Sequence, residues 1–122
     1  MTGQTAKRVL IVEDEVLIAM NLEDMLNDLG HEVVGQATRI ELAMDLARES
    51  DIDFAVLDIN LAGKKSFPVA DILSERGIPF AFATGNGPEG LMDGYRDFPA
   101  LQKPYAQADL ERTIAQVLRG ST

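Results

Sequence analysis

Apolar residues come along this chain in short runs, and after most runs the apolar positions recur every three or four residues. Residues 7–12 (Lys-Arg-Val-Leu-Ile-Val) predict a buried strand. Residues 16–29 carry Ile18, Leu22, Met25, Leu26 and Leu29 at helical spacing, and Gly30 ends that helix. A second strand is predicted over 32–37, and a second helix over 39–49 with Ile40, Ala43, Met44 and Ala47 on one face. Residues 53–58 (Asp-Phe-Ala-Val-Leu-Asp) predict a third strand, and 59–67 reads as a loop with Gly63 and two lysines. Pro68 suits the first turn of a helix over 68–76, which Gly77 closes. Strand four is predicted over 79–83. The stretch 85–97 contains Gly85, Gly87, Pro88, Gly90 and Gly94, which predicts a short or mobile fourth helix. A short fifth strand over 99–102 and a helix over 106–119, with Leu110, Ile114, Val117 and Leu118 inward, complete the pattern.

Strand and helix thus alternate five times. That alternation predicts an α/β fold with a parallel sheet covered by helices on both faces. Right-handed crossovers leave few topologies, and the first choice is a flavodoxin-like (βα)5 arrangement with strand order 2-1-3-4-5. The expectation is one domain over 1–122, with its core at about 7–119.

Composition narrows the possible functions. The 122 residues are 46% hydrophobic, enough for a core without disulfides or structural metal. Cysteine is absent, which removes disulfides, thiolate metal sites and cysteine nucleophiles. The formal net charge of -9 argues against nucleic acid as a direct partner, because phosphate backbones are held by basic faces. No apolar run approaches the ~20 residues of a membrane helix, and the N-terminus is polar. A cytoplasmic protein without membrane contact is expected.

The chemistry gathers at predicted strand ends. Glu13 and Asp14 follow strand one, Asp58 ends strand three, Thr84 follows strand four, and Lys103-Pro104 follows strand five. In a parallel sheet these ends share one edge, the usual ligand edge of an open α/β sheet. Carboxylates there suit Mg²⁺, although Asp14 or Glu15 alone would also serve to cap the following helix. Asp58 is either a third metal ligand or a nucleophile toward phosphorus. The Thr84 hydroxyl and the Lys103 ammonium suit a phosphoryl group, and Gly85 leaves room for it. His31, the single histidine, falls at the opposite edge, where no catalytic role is expected. The Gly85-Asn86-Gly87 run lacks the Gly-Lys-Ser/Thr ending of a phosphate-binding loop.

Four segments in order, Val12-Glu13-Asp14-Glu15, Val56-Leu57-Asp58-Ile59-Asn60-Leu61, Ala83-Thr84-Gly85 and Lys103-Pro104-Tyr105, resemble a response-regulator receiver domain. The resemblance covers about residues 7–119. It implies Asp58 as phosphoacceptor, with Asp14, Glu13, Asp58 and the Asn60 carbonyl around Mg²⁺. It implies Thr84 and Lys103 as phosphoryl-binding groups, and Asn60 and Asn86 flanking the path of attacking water. Phe82-Ala83-Thr84-Gly85 with Pro99-Ala100-Leu101-Gln102-Lys103-Pro104, and the loop Lys64-Lys65-Ser66-Phe67-Pro68-Val69-Ala70, is similar to the alphaproteobacterial FATGUY subgroup of single-domain response regulators. One position departs from the family: Ala100 stands where most receivers carry a switching aromatic. The expectation is that the 85–97 segment rearranges in its place.

The resemblance implies a signalling domain of a two-component phosphorelay rather than an enzyme acting on an outside substrate. A histidine kinase would be its donor. A downstream protein or histidine phosphotransferase would be its partner, and it would act by protein contact or as a phosphate sink or shuttle, with no output domain. Two other readings compete. A HAD-type phosphatase needs a second aspartate two residues after the first, where this chain has Asn60. A phosphorylation-independent interaction module with a receiver fold draws its support from Ala100.

Overall fold

The computed structural model describes residues 7–61, 63–84, 100–102 and 106–120. Strand β1 (Arg8–Val12) leads into helix α1 (Val16–Asp28), followed by β2 (Glu32–Ala37), α2 (Ile40–Glu49) and β3 (Phe54–Asp58). Two-residue strands β4 (Asn60–Leu61) and β5 (Lys64–Lys65) precede α3 (Phe67–Glu75). Then come β6 (Phe80–Thr84), β7 (Ala100–Gln102) and α4 (Gln107–Gly120).

The main sheet has the order β2-β1-β3-β6-β7, and every pairing in it is parallel. Counting only these five strands, this is the expected 2-1-3-4-5 order of a flavodoxin-like fold. The expected short or mobile fourth helix, and the proposed rearrangement at 85–97, lie outside the described residues.

Alternation along each strand sorts the core into two layers. Leu10, Val12, Ala55, Leu57, Phe80 and Phe82 pack with residues of α2 and α3. Val9, Ile11, Phe54, Val56, Ala81 and Ala83 pack with α1 and α4. Successive side chains of a strand point to opposite faces, so β6 gives its phenylalanines to one layer and its alanines to the other. Phe80 meets Phe82 edge-on at 5.5 Å, and Phe67 at the start of α3 meets Phe82 at 5.7 Å. Such T-shaped pairs add attraction beyond the area they bury.

Helix ends follow from specific residues. Gly30 (φ 90°) and Gly77 (φ 72°) adopt left-handed conformations just past α1 and α3. Gly30 N–H donates to the Asn27 carbonyl and His31 N–H to that of Leu26. Gly77 N–H donates to Ser74 and Ile78 N–H to Leu73 in the same pattern. These are two complete Schellman caps, which satisfy carbonyls that a helix end otherwise leaves open. Helix α2 has no such glycine; the Arg76 guanidinium of α3 donates to the Ala47 and Ser50 carbonyls at its end.

Two local features depart from the sequence expectation. Residues 59–67 contain a hairpin, with Asn60 opposite Lys65 and Leu61 opposite Lys64, turned at Gly63 (φ 86°). Strand β2 carries a bulge: Val9 pairs with Val33 and Leu10 with Gly35, leaving Val34 as the extra, exposed residue. Gly35 suits this close approach, because a Cβ there would lie 3.3 Å from a Leu46 methyl and 3.4 Å from a Leu10 methyl, tighter than ordinary contact.

Candidate metal and phosphoryl site

Strands β1 and β3 lie side by side, with Val12 opposite Leu57. The residues that follow or end them at the C-terminal edge therefore converge. Glu13 and Asp58 are buried, and Asp14 is half-buried. One carboxylate oxygen from each of Glu13, Asp14 and Asp58 lies within 4.8 Å of the others.

Backbone contacts hold the acidic residues in place. Glu13 N–H donates to the Ala37 carbonyl at the end of β2 (3.0 Å), and Ile59 N–H donates to the Ala83 carbonyl of β6 (3.2 Å). The Glu13 side chain turns back along the chain, and its Oε2 accepts from the Glu15 N–H at 3.2 Å. Glu15 occupies the N-cap position of α1 but makes no side-chain cap bond. The Glu15 side chain thus does not cap α1; the Glu13 carboxylate accepts the N–H of the N-cap residue itself, which is not a donor of the helix's first turn.

The donor set fits a hard divalent cation. All three ligating atoms are carboxylate oxygens, the preferred ligands of Mg²⁺, and half-exposed Asp14 leaves a side open to the waters Mg²⁺ retains. Three negative groups this close also repel one another, which favours any cation that reaches them.

The other expected site residues are placed to different degrees. Asn60 opens the hairpin two residues after Asp58, with Ile59 between them. Thr84 is the last residue of β6, paired with Gln102 of β7, one register step beyond the Asp58–Ala83 pair. Ala100 begins β7, opposite Phe82. Lys103, Gly85 and Asn86 lie outside the described residues.

At the opposite edge His31 is buried, and its Nδ1 accepts the Lys7 backbone N–H at 3.1 Å. Burial, and then the nearby Lys7 charge, hold the imidazole below its ordinary pKa. It is a structural histidine, as its position in the sequence suggests.

A doubly wound parallel sheet with an acidic trio at its C-terminal edge defines an α/β domain of flavodoxin-like topology whose candidate cation site lies at the usual ligand edge. The chain belongs to the response-regulator receiver-domain family, whose model matches residues 9–115. It is 37% identical to the phyllosphere-induced regulator PhyR of Methylorubrum extorquens over 123 residues, covering 97% of this chain and 46% of that protein. The solution structure of SdrG from Sphingomonas melonis Fr1 is similar at 43% identity and a TM-score of 0.85, covering 93% of this chain and 97% of that one. The anti-anti-sigma factor PhyR from Bartonella quintana superposes with a TM-score of 0.84 at 36% identity, over 98% of this chain and 50% of that one. The chain spans about half the length of the curated relatives it matches.

Receiver domains are signalling modules of two-component systems. They bind Mg²⁺ through acidic residues and interact with histidine kinases and downstream effectors. Among the described residues, no helix is long and apolar enough to cross a membrane.

Proposed function

We propose that this chain accepts a phosphoryl group on Asp58 from the phosphohistidine of a histidine kinase and transmits the change by protein contact, or passes the group on as a shuttle or sink. The observation that carries this reading is the meeting of Glu13, Asp14 and Asp58 within 4.8 Å at the strand ends. A lone strand-end aspartate has many explanations; a buried one sharing a cation-sized space with two further carboxylates has few.

In this reading an Asp58 carboxylate oxygen attacks phosphorus in line. The new bond is O–P, the P–N bond to the imidazole breaks, and the departing imidazole nitrogen takes a proton from water. Bound Mg²⁺ supplies positive charge against the phosphoryl oxygens. Asp14, Asp58 and Glu13 would hold that ion, with the Glu13 carboxylate oriented by the bond it accepts from the Glu15 N–H. Thr84 is the expected hydroxyl donor to one phosphoryl oxygen, and Lys103 the expected ammonium. The Asn60 carbonyl is the expected further ligand, with Gly85 and Asn86 tuning access of water. Attack of water at phosphorus later releases phosphate and restores the Asp58 carboxylate. Positioning and electrostatics account for the catalysis.

The donor kinase, a downstream protein or histidine phosphotransferase, and a cytoplasmic setting are parts of the same proposal. The description of one relative as an anti-anti-sigma factor supports protein contact as the output. The direct test is incubation with acetyl phosphate and Mg²⁺, read by intact mass. Wild type gains one phosphoryl adduct and Asp58→Ala gains none; an adduct that survives in Asp58→Ala would overturn the assignment.

A second reading, a phosphorylation-independent interaction module, is favoured by Ala100 at the position of the switching aromatic. It predicts partner binding that is unchanged by Asp58→Asn, whereas the first reading predicts loss of the phosphorylation-dependent response.

A further inference from the structure

Ser66 stands between the Asp58 strand and helix α3. Its N–H donates to the Ile59 carbonyl at 2.9 Å, one residue past Asp58. Its own carbonyl accepts from the Val69 and Ala70 N–H groups at 2.9 and 3.2 Å, which starts α3. The next residue, Phe67, packs edge-on against Phe82, and Phe82 pairs with Leu57 of the Asp58 strand and lies two residues before Thr84. Backbone and ring contacts thus tie Ser66 to both strands whose ends carry the phosphoryl chemistry.

The Ser66 side chain does not share in these bonds. Ser66 is fully buried and occupies the N-cap position of α3, where serine normally caps with its hydroxyl, yet it makes no side-chain cap bond. Among the described residues, its Oγ is the buried side-chain oxygen with no hydrogen-bond partner. A buried hydroxyl left without a partner is costly, and alanine would fill the same space without that cost. A serine at this point is explained if its hydroxyl is bonded in a second state of the chain.

We propose that Ser66 is a positioning residue for the Asp58 phosphoryl group: its hydroxyl lacks a partner in the unphosphorylated chain and gains one when the segment after Asp58 adjusts to the phosphoryl group. This rests on the assignment of Asp58 as acceptor and adds a regulatory residue to it. The segment that would adjust is the 60–65 hairpin, which leads from Asp58 directly into Ser66 and is held to α2 by an exposed Lys64–Glu41 ion pair at 3.0 Å. Because the bond forms in one state only, it draws the equilibrium toward that state by its full net worth.

The test compares wild type with Ser66→Ala in two measurements, urea stability without ligand and affinity for beryllofluoride in saturating Mg²⁺ followed by amide NMR. A beryllofluoride-activated conformation of SdrG shows that this phosphoryl mimic suits a similar protein. The expected result is a split. Ser66→Ala without ligand is as stable as wild type or more so, while its beryllofluoride dissociation constant rises about threefold to tenfold, the worth of one net hydrogen bond. Equal affinities in the two proteins would overturn the proposal. So would a less stable unliganded Ser66→Ala, because that is the signature of a hydroxyl already bonded, for instance to an internal water. Failure of wild type itself to bind the mimic would instead remove the Asp58 assignment, and this proposal with it.

Discussion

The two ends of the one parallel sheet handle charge in opposite ways. At the N-terminal end, Arg8 lies 3.3 Å from both Asp51 and Asp53, and its backbone N–H donates to Asp53 Oδ2 at 2.9 Å. Helix α1 closes there on a left-handed glycine, and His31 accepts a backbone N–H. At the C-terminal end, three carboxylates converge within 4.8 Å. The first end is built from complementary, solvent-exposed pairs. The second gathers three carboxylates at one point, an arrangement suited to a divalent cation. Catalytic and binding edges generally gather such groups, and the contrast within one sheet shows where this chain gathers them.

The strongest way to break the comparison is to add metal. Mg²⁺ at a hundred times its dissociation constant should stabilise the chain against urea by about 2.7 kcal/mol. Asp14→Asn should remove most of that gain. Equal gains in the two proteins would show that the cation binds elsewhere.

Neutralising one aspartate at each end should sharpen the contrast. Without divalent cation, Asp58→Asn relieves like-charge repulsion and should raise stability by about 1 kcal/mol. Asp53→Asn weakens the pairing with Arg8 and should lower stability slightly, because solvent screens an exposed pair. Urea denaturation of both variants reads the signs; the same sign at both ends would dissolve the contrast.

Gly30→Ala tests the N-terminal end through its backbone alone. A Cβ at Gly30 meets nothing within 4 Å, so the cost is that of a left-handed alanine, about 1 kcal/mol. Urea midpoints should fall accordingly, and an unchanged midpoint would mean that the left-handed conformation at Gly30 carries no cost for alanine.

The smallest effect expected is with pH. His31 is held below its ordinary value near 6.5 by burial and by Lys7, so the unfolded chain binds more protons in that range. Its contribution is complete above about 6.5 and is lost as pH falls toward the folded-state value. The Asp53 carboxyl is held below its ordinary value near 3.8, first by the Arg8 backbone N–H, and its contribution is lost only as pH falls below that. Melting temperatures from pH 8 to 5 should decline less in His31→Gln than in wild type. Parallel declines would assign the slope to other groups.

Much of this contrast is legible in the sequence, for reasons that can be named. The apolar runs that end in Val12 and Asp58 mark two strands to within a residue, and parallel topology then carries Glu13, Asp14 and Asp58 to one edge. Gly30, Gly77 and Pro68 mark helix ends because their backbone chemistry allows little else there. Features set by tertiary contact left no such mark. Two-residue strands are too short to show a period, so the 60–65 hairpin reads as loop. The Val34 bulge depends on the side chains that meet Gly35, and the Arg76 cap on α2 joins residues far apart in the chain. In the sequence Ser66 falls within the predicted 59–67 loop; only the packed structure separates its backbone role at the start of α3 from its unused hydroxyl.

The bulge in β2 also bears on how the chain behaves in a crowd. β2 is an outer strand, and an outer strand offers unpaired backbone groups to any neighbouring molecule. The extra residue at Val34 bends that margin, while Glu32 and Gln36 keep polar side chains along it. A straight, apolar β2 would be a template for strand-to-strand aggregation. The irregularity that breaks the pairing register here is thus a guard against self-association, built into the margin of the sheet farthest in strand order from β7.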